Sequence, residues 1–255
     1  MPNPFDAIID EMIVQGYHNQ RKEIHSDRVG LGIQNDLLKQ CREYREDTEN
    51  GVIKSWINTH TPGARGRKID LFVGAPTPAG QPDIHTVRLV IENKSVITAH
   101  RNVYARYDDL KGTMEAIHSE RPETIRIATI LVGTATRFLN VADRIKTIFP
   151  RQWAQIQPRL LSGDETLWDD FPSAISKNKE NEPATTIRKL RDLGVREAGQ
   201  THSLGYDFIL IVPVFIDNVN QPRIARQNPF GIDVDADYNL MLSRICTAYH
   251  VRWHM

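Results

Sequence analysis

Asp70, Glu92 and Lys94 are the residues of this chain whose types and spacing could do chemistry together. Asp70 lies in the run Ile69-Asp70-Leu71-Phe72-Val73, and Glu92 and Lys94 close the run Val87-Arg88-Leu89-Val90-Ile91-Glu92-Asn93-Lys94. Both runs are apolar and β-branched, and both carry acids that an ordinary buried strand avoids. Alternation along a strand sends Glu92 and Lys94 to one face and Asn93 to the other. Residues 74–83 between the runs are dense in turn formers, so the simplest arrangement is two adjacent antiparallel strands. Two carboxylates and one amine then converge on a single point, a site for a divalent metal and a water. A surface hairpin could carry the same charges. Against that, Val87, Leu89, Val90 and Ile91 are almost continuously apolar, the pattern of a strand buried on both faces. A charged pair at the end of such a strand needs compensation, which metal and substrate would supply.

The elements that must position these residues follow from pattern. Phe5, Ile8, Ile9, Met12 and Ile13 have helical spacing, with Gly16 as a stop. Residues 21–28 read as a polar loop in which Ser26 caps a second helix. That helix runs to about Arg45 with Ile33, Leu37, Leu38, Cys41 and Tyr44 as its apolar stripe. Gly30 and Gly32 in its first turns each cost about 1 kcal/mol relative to alanine; they either fray the start or admit another backbone or a ligand. Residues 52–57 are a short strand or turn. Thr61 to Lys68 is a basic, glycine-containing loop leading into Asp70, where Arg65, Arg67 and Lys68 could grip a phosphate backbone. After Lys94 a turn gives way to a helix reaching towards His118, and Ile125 to Gly133 is a central strand. Thr136 caps a third long helix with Leu139, Ala142, Ile145 and Phe149 inward and Pro150 as terminator. Residues 176–183 are polar and the best candidate for mobility, and a short helix then ends at Gly194. Tyr206 to Ile216 is the strongest strand of the second half, with Pro213 marking a bend or an edge. Asp237 to Val251 is an amphipathic helix with Asp237 as its cap. This order predicts an α/β (α+β) domain, a central mixed β-sheet flanked by helices.

Composition sets bounds without choosing a function. The chain of 255 residues reads as one domain, with 32 basic and 32 acidic residues and a formal charge of zero. That balance does not advertise nucleic acid, and it leaves room for a local basic face. Cys41 and Cys246 sit in helix-like patterns far apart and read as reduced core residues rather than a staple or a zinc site. The start Met1-Pro2-Asn3-Pro4 lacks the basic and apolar regions of a signal peptide, and no apolar stretch is long enough to cross a bilayer, so the expected location is the cytoplasm. Asp233-Val234-Asp235-Ala236-Asp237 begins like a calcium loop. Tyr238 stands where that loop requires glycine, however, and Arg244 where it requires a bidentate glutamate.

Asp70, a hairpin-like gap and Glu92-Asn93-Lys94 on an apolar strand resemble the PD-(D/E)XK nuclease superfamily. His25-Ser26-Asp27 ahead of a helix, with Ile91-Glu92-Asn93-Lys94-Ser95 and Thr98-Ala99-His100, resembles a group of type II restriction endonucleases, over residues 20–115. The resemblance implies a restriction-endonuclease-like core within a single domain, 1–255. Residues from about 20 to 150 would form the catalytic core, and those from about 151 to 255 would complete the sheet and supply DNA-recognition elements. It also implies Asp70 and Glu92 as magnesium ligands and Lys94 as the partner of the attacking water. The chemistry agrees. Phosphodiester hydrolysis needs a cation to offset transition-state charge and acidify a bound water, and magnesium favours one or two carboxylates completed by waters and phosphate oxygens. A lysine beside that water adds positive charge where negative charge develops.

The sequence departs from the family at two points. No glutamate stands at Ile33-Gln34-Asn35-Asp36, where the family often adds an acid, which leaves Asp36 as either a further metal ligand or a solvated helix residue. Lys68-Ile69, not a Pro-Asp pair, precedes Asp70. On this reading His100, Arg101, Arg106, Tyr107 and Lys111 line the DNA side of the following helix, and Arg188, Lys189, Arg191, Arg223 and Arg226 are further candidates for phosphate or base contacts. The resemblance implies double-stranded DNA as substrate, a homodimer on symmetric sites and a separate DNA methyltransferase protecting host DNA, with no membrane partner. Two alternatives stay open: another nuclease of the superfamily acting in repair or on modified DNA, and a DNA-binding module without catalysis.

Overall fold

Six strands hydrogen-bond side by side in the order β1 (Lys54–His60), β2 (Lys68–Gly74), β3 (Val87–Val96), β4 (Ile125–Gly133), β7 (Phe208–Phe215) and β8 (Arg223–Ile224). Between them in sequence, β5 (Arg137–Leu139) and β6 (Ile175–Lys177) pair antiparallel in a small second sheet. The computed structural model describes residues 3–15, 23–60, 66–140 and 148–255. The main sheet is mixed: β1, β2 and β3 are successively antiparallel, β3, β4 and β7 are parallel, and β8 returns antiparallel. The expected hairpin-like pair is present, with Leu71 opposite Ile91, Phe72 opposite Val90 and Val73 opposite Leu89.

Helices cover both faces, as a parallel segment requires. α1 (Pro4–Gln15), α2 (Glu23–Gln40), α3 (Arg42–Glu49) and the last helix, α8 (Val234–Trp253), form one group; α2 packs on β2 and β3, and α8 on β7. Ile33 and Leu37 of α2 and Met241, Leu242 and Ile245 of α8 are buried with Leu71, Leu89, Ile91 and Ile127. On the other side α4 (Val103–Glu120) connects β3 to β4 and buries Ile117 against Ile69, Phe72 and Val90. α5 (Pro150–Leu161), α6 (Leu167–Asp170) and Val219 enclose a smaller core beside β5 and β6, and α7 (Glu182–Arg191) packs on α4. Among the described residues no helix is long and apolar enough to cross a membrane.

Several local expectations are corrected. α2 starts at Glu23, so Ser26 lies inside the helix rather than capping it, and residues 21 and 22 fall outside the described ones, as does Gly16. The helix also breaks sooner: Cys41 is extended (φ −97°, ψ 105°) and the chain restarts as α3, which carries the buried Tyr44. Cys41 and Cys246 are joined in a disulfide with Cα atoms 5.3 Å apart, contrary to their reading as reduced thiols. Cys41, at the break between α2 and α3, and Cys246 on α8 read alike in sequence whether they pack or bond.

No helix starts at Thr136. The chain forms β5, Leu139 is buried on it, Phe149 is exposed, and Ala142 and Ile145 lie outside the described residues. Pro150 opens α5 instead of ending a helix, because its fixed φ and missing N–H suit a first turn. α8 is capped by Asp233, whose carboxylate accepts from Ala236 N, one turn before the expected Asp237. Pro213 sits where β7 has only two-residue β8 beyond it; its carbonyl accepts from Ala225 N, and its nitrogen faces that same thin edge, where no donor is needed.

Candidate active site

The β2–β3 pairing runs as far as Leu71–Ile91, and the next residue on each strand is an acid, Asp70 and Glu92. There the ladder is continued by a side chain: Asn93 N–H donates to Asp70 Oδ2 at 2.7 Å. Lys94 Nζ donates to Glu92 Oε2 at 2.8 Å and stands 3.7 Å from Asp70 Oδ2. The two carboxylates and the amine predicted to converge do so.

Glu92 is only 1% exposed, and among the described residues its Oε1 has no hydrogen-bond partner. Burial pushes its carboxyl up to about 7; the Asp70 charge adds to that, while Lys94 and Arg67 pull it down. For Lys94, burial lowers the pKa, but the charges of Glu92 and Asp70 outweigh it and the net shift is upward. Among the described residues no group of three or more His, Cys, Asp or Glu side chains could hold a metal by protein ligands alone. Two carboxylates, one with an empty buried oxygen, suit magnesium, which keeps waters and borrows phosphate oxygens. They do not suit an ion that needs a full protein cage.

Asn93 explains why the strand can afford polar residues on both faces. Its Nδ2 donates to Ser26 O (3.0 Å) and Ser26 Oγ (3.1 Å) on α2, and its Oδ1 accepts from Thr129 Oγ1 on β4 (2.5 Å). Asn93 thus docks α2 behind the site while its neighbours present the carboxylate and the amine in front. Asp27, one residue on from Ser26, accepts from Asn58 Nδ2 of β1. Gly30 completes the seating: a Cβ there would lie 3.3 Å from Ile57 Cδ1 and 3.5 Å from Leu71 Cβ. Of the two readings of that glycine, close approach by another element holds.

The remaining predicted residues divide. Arg67 reaches α4, donating from Nη1 to Asp109 O (3.2 Å) and Thr113 Oγ1 (3.4 Å). Lys68 is exposed on β2, and Arg65 lies outside the described residues. Arg101 is exposed, Arg106 donates to Asp109 Oδ2 (3.1 Å), and Lys111 is exposed with Glu115 at 3.9 Å. Tyr107 is half-buried under Lys189, whose Nζ stands 4.0 Å from the ring centroid.

His100 is not brought to an open face. It is buried, its Nδ1 lies 2.8 Å from Thr186 Oγ1 of α7, and burial lowers its pKa. Asp36 is not brought to the group either: Tyr238 donates to its Oδ2 (2.8 Å) and Lys39 to its Oδ1 (3.1 Å). Arg226 is held by Asp6 and Asp235, and Arg223 lies 4.1 Å from the Phe215 ring centroid. Just beyond Lys94 a pocket of about 320 Å³ opens, lined by Ser95 to Ala99, Asn102 and Arg106.

Sequence reading missed Asn93 as a tether, although its opposite-facing position was legible. It also missed Asp207, which gathers Arg196, Arg252 and the Arg126 backbone N–H at the other end of β4. No family model, curated protein or solved structure matches this chain.

Proposed function

We propose that this chain is a magnesium-dependent type II restriction endonuclease that hydrolyses phosphodiester bonds of double-stranded DNA at a specific sequence, on a restriction-endonuclease-like core. The observation that carries the reading is the buried Glu92, one oxygen empty and the other accepting from Lys94 Nζ at 2.8 Å, with that same amine 3.7 Å from Asp70 Oδ2. Asp70 and Glu92 would hold magnesium, which supplies charge compensation at the phosphate and an acidified water. Lys94 would orient that water and keep positive charge beside the developing oxyanion. The pocket past Lys94 gives the neighbouring nucleotide a place, with Arg106 on its wall. Exposed Lys68, Arg101 and Lys111 would meet the phosphate backbone, the sequence-independent part of DNA affinity. Cutting two strands at a symmetric site calls for two copies of the chain, and a separate methyltransferase would protect host DNA.

The test is incubation of the purified protein with phage DNA, with and without magnesium, beside Asp70→Asn, Glu92→Ala and Lys94→Ala variants. Discrete fragments are expected from the wild type with magnesium only, and each variant should lose at least ~10²-fold in rate. Variants as active as the wild type would overturn the site.

A further inference from the structure

Gly112 stands in the middle of α4, where glycine costs about 1 kcal/mol relative to alanine. Its surroundings give the reason. A Cβ at Gly112 would run into the Arg67 guanidinium, meeting Nη2 first, with Cζ at 2.9 Å and Nη1 at 3.5 Å. The helix has a notch there, and the head group of Arg67 lies in it. Both hydrogen bonds of that head group leave through Nη1, to Asp109 O and Thr113 Oγ1, and among the described residues Nε and Nη2 have no protein acceptor.

The acceptors that hold Arg67 are neutral: a backbone carbonyl and a hydroxyl of the buried Thr113. Among the described residues it forms no ion pair with a carboxylate, unlike Arg106, which Asp109 neutralises at 3.1 Å. The Arg67 charge is therefore fixed in place and left uncancelled, three residues before Asp70 and bound to Asp109, the residue that also holds Arg106 on the wall of the pocket past Lys94. Lys68, the next residue in the chain, is exposed, whereas Arg67 is half-buried against α4. A planar guanidinium with an unused edge suits two oxygens of a phosphate.

We propose that Arg67 binds the non-bridging oxygens of a phosphodiester seated beside Asp70, Glu92 and Lys94, and that Gly112 is the positioning residue that makes room for it. This deepens the nuclease reading and rests on it.

Gly112→Ala separates this role from folding, because alanine favours the helix and disfavours only the seat of Arg67. Its melting temperature should equal or exceed that of the wild type, while kcat for DNA cleavage falls roughly 10- to 100-fold and KM, set by many phosphate contacts, changes much less. Arg67→Ala should lose at least as much and Arg67→Lys less. Adding Gly112→Ala to Arg67→Ala should cost nothing further, since the glycine acts only through the arginine. The assignment is overturned if Gly112→Ala cleaves at the wild-type rate, or if its loss is the same in the Arg67→Ala background. Failure of the nuclease reading looks different: a wild type that cuts no DNA with magnesium. In that event the thermal shift produced by inorganic phosphate decides the Arg67 site, since loss of the shift in Arg67→Ala supports it and an equal shift in both proteins overturns it.

Discussion

Replacing Glu92 by glutamine should make the metal-free protein more stable and, under the proposed function, abolish DNA cleavage, and pH reveals the first effect quantitatively. In the unfolded chain the carboxyl titrates at its ordinary 4.5, whereas burial in the fold raises it to about 7. The folded state therefore holds the proton more tightly. The stability this contributes is fully present below 4.5 and is lost as pH rises through 7. Once the group is ionised in both states, the difference amounts to roughly 3 kcal/mol, a substantial part of the 5–15 kcal/mol typical of a domain. Glutamine has nearly the same shape, can still accept from Lys94 and pays no such penalty. Urea unfolding of wild type and Glu92→Gln in chelator, near pH 5 and near pH 8, measures it. The two should lie within about 1 kcal/mol at the lower pH and diverge by roughly 3 kcal/mol at the higher, with the variant more stable. Buried His100 and half-buried His118 have lowered pKa values and give the opposite slope, but they are common to both proteins and cancel in the difference. A difference that stays constant with pH, or one that favours the wild type as pH rises, would refute the burial argument for Glu92.

Magnesium should raise the melting temperature of the wild type and leave that of Glu92→Ala unmoved, by linkage of a ligand that binds only the folded site; equal shifts in a thermal melt would remove Glu92 from the metal site. Reducing the disulfide, or Cys41→Ser, should cost several kcal/mol in urea unfolding, towards the upper end of the ~2–5 kcal/mol range because the bridge closes a sequence separation of 205 residues; unchanged stability under reductant would show that the bridge contributes nothing. Tyr238→Phe should destabilise by about 1–3 kcal/mol by leaving Asp36 Oδ2 without its donor, while DNA cleavage stays at the wild-type rate. A loss of cleavage with altered magnesium dependence would return Asp36 to the site.

The carboxylate–amine group was legible in the sequence because it obeys the strictest local rule available, strand alternation. Once Val87 to Ile91 reads as a buried strand, the facing of Glu92, Asn93 and Lys94 follows. β4 and α4 were legible for the same kind of reason, a strong period or a long apolar run. What was not legible depends on which distant element arrives. The resemblance leaves Asp36 as either a metal ligand or a solvated helix residue, and the arrival of α8 with Tyr238 makes it a structural anchor instead. His100 looks like a DNA contact until α7 covers it with Thr186. Gly112 carries no signal in its own helix, since the reason for it is an arginine 45 positions earlier in the chain. Residues 137–139 failed differently: an apolar pattern too short to settle its period became an edge pair with β6.

β4 has a buried ionic centre on each side of its length, and the contrast between them separates holding from doing. At its start, Asp207 is filled. Oδ1 accepts from Arg252, and Oδ2 accepts from Arg196 and from the Arg126 backbone, so both oxygens are occupied. Arg196 and Arg252 spend their other donors on backbone carbonyls of residues 122–124, 198, 201 and 203, which ties the loop before β7 and the end of α8 to the start of β4. The Asp207 carboxylate locks the fold, while the buried Arg126 guanidinium near it keeps Nε and Nη1 without partners among the described residues. Across the sheet, Glu92 on β3 is as buried, but one of its oxygens is empty and its cationic partner Lys94 is shared with Asp70. An empty buried carboxylate oxygen costs stability that a purely structural site would have no reason to forgo, because a donor in place of a neighbouring apolar side chain would satisfy it. What sets the Glu92 centre apart is the sign of its unused group: an empty carboxylate oxygen calls for a cation, the group that the proposed function would supply there.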